Sequence, residues 1–206
     1  MKLIILLNIF LFPLLVFCQT KKNQNDIIIY QTLVKDIRYK NEKHFVIQKE
    51  SSSYDLRAIK GADVFRDTLY MYEVENYSKK KLDTFWRRLS IDTSWRQDIL
   101  NISELDSSET NLPEIEKYQP IYISRDSLNS IFDPDKNGGW SSFHKLFPKA
   151  KGLLVFSKIA YSKNNERAIV YLSRSGGYTS GGGLIYFLSN ENGIWKIIYK
   201  ERMWVS

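Results

Sequence analysis

Asp133-Pro134-Asp135-Lys136-Asn137-Gly138 sets oxygen-bearing side chains at alternate positions and ends on a glycine. This is the first half of a calcium loop, where such oxygens converge on one cation and a Gly lets the chain bend sharply. The twelfth position, where a bidentate Glu should close the cage, is His144, a poor Ca2+ ligand. Asp133, Asp135 and Asn137 are thus candidate metal ligands in an incomplete set, against the simpler reading of a polar turn between two short helices. No cofactor is expected, and Ca2+ is the one candidate that the spacing raises.

The run Gly176-Gly177-Tyr178-Thr179-Ser180-Gly181-Gly182-Gly183 invites comparison with a phosphate loop, since consecutive backbone N–H groups can cradle an anion. The details oppose it: no Lys-Ser/Thr follows the glycines, the GxGxxG spacing is absent, and a strand comes next. A flexible or bulged hairpin connection accounts for the run better, with Tyr178, Thr179 and Ser180 at its tip as candidate ligand contacts. His44 and His144 are the only histidines. Ser141 and Ser142 lie near His144 in sequence, but neighbours at those steps on a helix do not face it as a base–nucleophile pair requires. His144 reads instead as an edge residue of the core, and zinc lacks ligands beside it.

The basic segment Lys79 to Arg88 could attract phosphate or anionic headgroups, yet its cations lie opposite an apolar stripe, as on any solvated helix. Trp86, Trp140 and Trp195 occupy core-facing positions, whereas Trp95 and Trp204 are less constrained. Two function classes follow. One is a non-catalytic exported domain that binds another protein or a cell-envelope component. The other is a hydrolase or transferase using scattered carboxylates such as Asp133, Asp135 and Glu166, which would need two acids brought together with one pKa raised.

The elements that must position these residues are legible from periodicity. Ile27, Tyr30, Val34 and Ile37 recur at helical steps, as do Ala62, Phe65, Leu69 and Tyr72, and Leu82, Phe85, Trp86 and Leu89 within Lys79–Ser90. Phe45-Val46-Ile47 and Ile121-Tyr122-Ile123 read as short strands. Ser124 caps a helix to about Phe132, with Asp126 in its first turn where the helix dipole favours an anion. Trp140, Phe143 and Phe147 mark a two-turn helix that Pro148 stops, and 94–116 reads as loop with a turn of helix. After Gly152, strand-like runs at Leu153–Tyr161, Ala168–Ser173, Leu184–Ser189 and Ile194–Val205 alternate with tight turns. Asn192-Gly193 is a hairpin signal, and short connections require antiparallel pairing. Trp195, Ile197 and Tyr199 would share one face, opposite Lys196, Ile198 and Lys200, and would meet the Trp140–Phe143–Phe147 stripe across one core. The expectation is an α+β domain, with N-terminal and central short helices on a mainly antiparallel sheet of about four to six strands built chiefly by the C-terminal third.

Met1-Lys2 precedes an apolar run from Leu3 to Phe17, broken by Asn8 and Pro13. A charged start and a short apolar stretch read as a secretory signal, too brief for a good membrane span. Cleavage before Gln19 gives a soluble exported protein. Cys18, with Leu15-Val16-Phe17 as a lipobox, gives a lipid-anchored one, although Phe17 stands where a small residue is wanted, and an uncleaved anchor is the remaining alternative. The layout is thus a signal peptide over 1–18, a flexible leader over 19–26 and one domain over 27–206, destined for the periplasm, the exterior or the envelope. Cys18 is the only cysteine, so the folded part has no disulfide or thiolate. Lys+Arg total 30 against 23 Asp+Glu, a net +7 that loss of Lys2 with the signal peptide lowers by one. This excess is spread along the chain and does not imply nucleic acid, and membrane contact is expected only through a lipid on Cys18. With 13 Tyr, 11 Phe and 5 Trp, the composition leans toward sheet.

The C-terminal third also carries a recurring block: Trp140-x-x-Phe143, Phe147-Pro148-x-x-x-Gly152, the strand Phe156 to Tyr161, Ala168-Ile169-Val170-Tyr171, the glycine cluster, Tyr186-Phe187-Leu188, Gly193-Ile194-Trp195-Lys196-Ile197 and Trp204-Val205-Ser206. From Trp140 to Ser206 the chain resembles an uncharacterised group of bacterial exported proteins, in which a glycine often stands at the position of Ala160. The resemblance implies export and this fold. The group has no assigned activity, so no catalytic residue is implied.

Overall fold

The computed structural model describes residues 24–37, 44–52, 95, 110–136 and 138–206. The signal peptide, the helices expected over 62–72 and 79–90, and Asn137 lie outside the described residues. The fold is α+β, with a mainly antiparallel sheet formed chiefly by the C-terminal third. Strand β1 is Val46–Gln48, β2 Ile121–Ile123, β3 Leu153–Phe156, β4 Ala160–Tyr161, β5 Arg167–Gly177, β6 Ser180–Glu191 and β7 Ile194–Val205. Helix α1 covers 24–37, α2 is Arg125–Ile131 and α3 Trp140–Leu146. The sheet order is β2-β1-β3-β5-β6-β7, with β4 pairing β5 off this path.

The long antiparallel ladder β5–β6–β7 follows from local chemistry. Asn192 and Gly193 both take positive φ, 53° and 85°, which is what a tight two-residue hairpin matching the strand twist demands. β1 differs: it runs parallel to both β2 and β3. Its three residues are all buried, as expected of a strand covered on both faces. The connection from β2 back to β3 carries α2 and α3. Ser124 caps α2 by accepting from the Ser127 N–H, and α3 ends at Phe147, whose N–H donates to the Phe143 carbonyl before Pro148.

Both sheet faces are covered, and this corrects the expectation of one core. Ile29, Tyr30, Leu33 and Val34 of α1 pack with Ile47, Leu154, Phe156, Leu188 and Trp195. Phe143 of α3 packs instead with Val46, Ile123, Leu128 and Ala150, flanked by Trp140 and Phe147. Val46 and Ile47 are neighbours on one strand and so point to opposite faces. Trp195 therefore lies on α1, with the sheet between it and the Trp140 stripe. The sign was in β5, where Ala168 to Leu172 are buried without alternation.

Residues 24–26, read from sequence as the end of a leader, are the first turn of α1 and are tied to the sheet. Trp195 Nε1 donates to Asn25 Oδ1 at 3.4 Å, and the Tyr161 hydroxyl donates to Asp26 at 2.5 Å. Tyr30 donates to the Ser157 carbonyl at 3.0 Å and Tyr186 to Asp36 at 3.1 Å. Burial pushes the ionisation of Tyr30, Tyr161 and Tyr186 well above its ordinary range, and the nearby carboxylates of Asp26 and Asp36 push it further. The single strand expected over Leu153–Tyr161 is broken at Ser157. Its buried hydroxyl accepts from the Tyr171 N–H at 2.9 Å and donates to the Lys158 carbonyl at 2.8 Å.

Two irregularities in β7 reset which side chains face where. Leu188 pairs Ile197, but Phe187 pairs Tyr199, so Ile198 is an extra residue. Leu184 then pairs Arg202 while Gly183 pairs Trp204, leaving Met203 extra. Each bulge reverses the alternation. Trp195 and Ile197 stay on the α1 face, whereas Tyr199 turns to Phe187 on the other, their ring centroids 5.7 Å apart. The expected common face of Trp195, Ile197 and Tyr199 is thus broken at Ile198.

Candidate functional site

Beyond the last turn of α1, the α1 face of the β5–β6–β7 end forms a groove of about 610 Å3. Its floor follows from the register. One row across the strands is Leu172, Leu184 and Arg202, and the next is Arg174, Gly182 and Val205. Gly182 has no side chain to fill its place, and a Cβ built there would meet only the Trp204 carbonyl oxygen, at 3.3 Å. The groove is therefore open between Arg174 and Val205, with Leu172, Leu184 and Ile37 as its apolar lining.

Lys200 and Arg202 reach this face because the Ile198 bulge turns them there. Lys200 Nζ lies 2.8 and 3.1 Å from the two Asp36 oxygens, and Tyr186 donates to the same carboxylate. Asp36 is thereby committed to a cation and a hydroxyl. Arg174 Nη2 is 3.4 Å from the Lys151 carbonyl, and its guanidinium lies 5.6 Å from the Phe45 ring. Arg202 is exposed. Three cations against one engaged carboxylate leave the groove positive. Such a positive arrangement suits holding an anion.

On the opposite face the glycine at 183 has a structural cause. A Cβ at Gly183 would overlap the Trp204 indole nitrogen and the Tyr171 hydroxyl, which are hydrogen-bonded to each other at 2.7 Å. Trp95 lies on this face too, its ring 5.7 Å from that of Phe187 and 4.8 Å from the Arg167 guanidinium.

The sequence-derived candidates divide. Ser180 lines the groove. Tyr178 and Thr179 form the hairpin tip outside it, where Tyr178 is 74% exposed and its hydroxyl abuts Gly139. This brings the tip next to the Asp133 loop. Asp133 Oδ1 accepts from the Asp135 N–H at 3.0 Å and Oδ2 pairs with Lys136 at 3.1 Å, the geometry of a polar turn closing on itself. Among the described residues no three His, Cys, Asp or Glu side chains gather as a metal site. His144 stacks near Trp140 and Phe143, with Nε2 3.2 Å from the Gly176 carbonyl oxygen, as an edge residue would.

Asp133 lies beside the Gly177 end of β5, and Glu166 immediately precedes its first residue, Arg167. The length of β5, eleven residues at ~3.3 Å each or roughly 35 Å, lies between them. Lys200 and Arg202 escaped sequence reasoning because counting register from the Asn192-Gly193 turn ignores the Ile198 bulge, and Arg174 and Asp36 because no local pattern brings β5 and α1 to the same groove. The one usable signal was the pair Lys200 and Arg202 in the second half of β7.

Among the described residues no helix is long and apolar enough to cross a membrane. No family model, curated protein or solved structure matches this chain.

Proposed function

We propose that the chain is an exported, non-catalytic binding module that holds an anionic group of a partner protein or envelope component in the Arg174–Arg202 groove. The observation that supports this is the groove itself. Arg174 and Arg202 flank an open, glycine-floored space, while Asp36, the carboxylate that would repel an anion, is engaged by Lys200 and Tyr186. A guanidinium suits this task because its planar fork meets carboxylate or phosphate oxygens two at a time. Export is supported by the charged and apolar N-terminus.

The test is calorimetric titration of the purified protein with hexaglutamate. Binding should weaken as salt rises, because exposed charges are screened beyond about 8–10 Å at ordinary ionic strength. It should fall at least fivefold in the Arg174→Ala/Arg202→Ala double variant. Equal binding by wild type and double variant, or turnover of a substrate from a broad hydrolase panel, contradicts the proposal. Fractionation of the host checks export: an intact Met1 on cytoplasmic protein would overturn it.

A further inference from the structure

The groove borders the last strand of the sheet order. β7 ends the strand order and, among the described residues, pairs with a strand on its β6 side alone. Natural sheets blunt such edges with charges and bulges, and β7 has both. Even so, of the seven exposed large hydrophobics among the described residues, four lie on this strand: Ile194, Ile198, Trp204 and Val205. An edge strand that offers backbone donors and acceptors, apolar side chains and adjacent cations has what strand addition by a peptide needs.

We propose that the 200–205 stretch of β7 receives an extended, acidic segment of a partner protein. The added strand would lie about 4.8 Å beyond β7, and every second side chain would point onto the groove face. A carboxylate at the position across from Arg202 meets its exposed guanidinium. The neighbouring Lys200 is already neutralised by Asp36, so the pairing with the segment rests on Arg202. Apolar side chains at the alternate positions pack beside Trp204 on the opposite face. A second copy of this chain fits poorly. The one carboxylate on its β7 is Glu201, which already accepts from the Tyr199 hydroxyl, so a second copy offers Arg202 no unengaged acid. This inference rests on the reading of the groove as an anion site, and it adds the partner class and the binding mode.

The experiment uses the purified full chain and a labelled octapeptide of alternating Glu and Val, acetylated and amidated, followed by fluorescence anisotropy. Two further peptides carry N-methyl groups at every Glu or at every Val, which removes the donors along one edge or the other. One methylated peptide should bind at least tenfold more weakly than the parent. Arg202→Glu should weaken the parent tenfold or more with an unchanged melting temperature. Lys196→Glu, a change at the Glu191-paired lysine outside the groove, should stay within about twofold. Inorganic phosphate and phosphatidylglycerol vesicles should bind more weakly than the peptide.

If both methylated peptides bind like the parent, strand addition is wrong while the anion site survives. If phosphate or vesicles bind more tightly, the partner class is wrong. If Lys196→Glu matches Arg202→Glu, overall charge and not the groove governs binding. If none of the probes binds, both this inference and the anion-site reading fall.

Discussion

A methyl group added at Gly183 has nowhere to go. Its position is taken by the Trp204 indole nitrogen and the Tyr171 hydroxyl, which are bonded to each other. Because Trp204 is 39% exposed, the cheapest relief is for the indole to swing outward and give up that bond. Forcing extra atoms into a packed site costs typically 1–3 kcal/mol, and losing a part-buried hydrogen bond costs about 0.5–1.5 kcal/mol more. Replacing Gly in a strand returns roughly 0.4–1 kcal/mol through the unfolded chain. The net expectation for Gly183→Ala is a destabilisation centred on about 2 kcal/mol, within about 0.5–4 kcal/mol. Gly182→Ala, one residue away, meets only the Trp204 carbonyl oxygen at 3.3 Å, a tight contact relieved by a shift of a few tenths of an ångström, and should cost less than about 1 kcal/mol. Urea unfolding of both variants, and of each in a Trp204→Ala background, measures the difference. In that background the cost of Gly183→Ala should drop by about 1 kcal/mol or more, since neighbours that touch are coupled. Equal costs at the two glycines, or no coupling to Trp204, would refute the account of β7.

Three other outcomes are expected. Tyr30, Tyr161 and Tyr186 have ionisation raised above the ordinary value of 10.0, by burial first. Their contribution is whole below pH 10 and shrinks above it as the unfolded chain releases protons the folded one retains. Tyr30 alone should cost up to ~1.4 kcal/mol per pH unit. Urea midpoints from pH 8 to 11 check this: a flat profile contradicts it, and Tyr30→Phe should shallow the slope. Trp195→Ala removes a buried ring packed at 5.9 Å on Tyr161 and should cost roughly 3–5 kcal/mol, while exposed Lys196→Ala should be nearly silent. A well-folded Trp195→Ala protein would show that the α1 face is not the core described. Calcium should leave the melting temperature unchanged, because both Asp133 oxygens are already engaged within their own loop. Ligand at ~100 times its dissociation constant would add about 2.7 kcal/mol, so a rise of several degrees that Asp133→Ala abolishes would contradict this reading.

What was legible in the sequence is what short-range chemistry decides. The Ser124 cap, the Trp140–Phe147 stripe and the Asn192-Gly193 turn each depend on residues within a few positions, and each forms as expected. The insertion of β1 between β2 and β3 is different. It joins segments more than seventy residues apart, and no local pattern encodes which neighbour a short apolar strand selects. The groove was hidden for a third reason. Alternation assigns faces correctly only while pairing stays in register, and the extra residues at Ile198 and Met203 reverse it twice within eleven residues of the turn. Arg202 looks from the sequence like one more solvated cation. The glycine run was read as a hairpin connection and is one, but the need for Gly at 183 arises from Trp204, twenty-one positions later.

The groove can be tested most directly by following backbone amide shifts of the isotopically labelled chain as the alternating Glu-Val peptide is added. The account predicts that the largest changes fall on Gly181, Gly182 and Gly183 and on Arg202 through Val205, with Tyr178 and the Asp133 loop unmoved. Largest changes at Tyr178, Gly139 and Asp133, with the β7 edge silent, would place the site at the hairpin tip and contradict it.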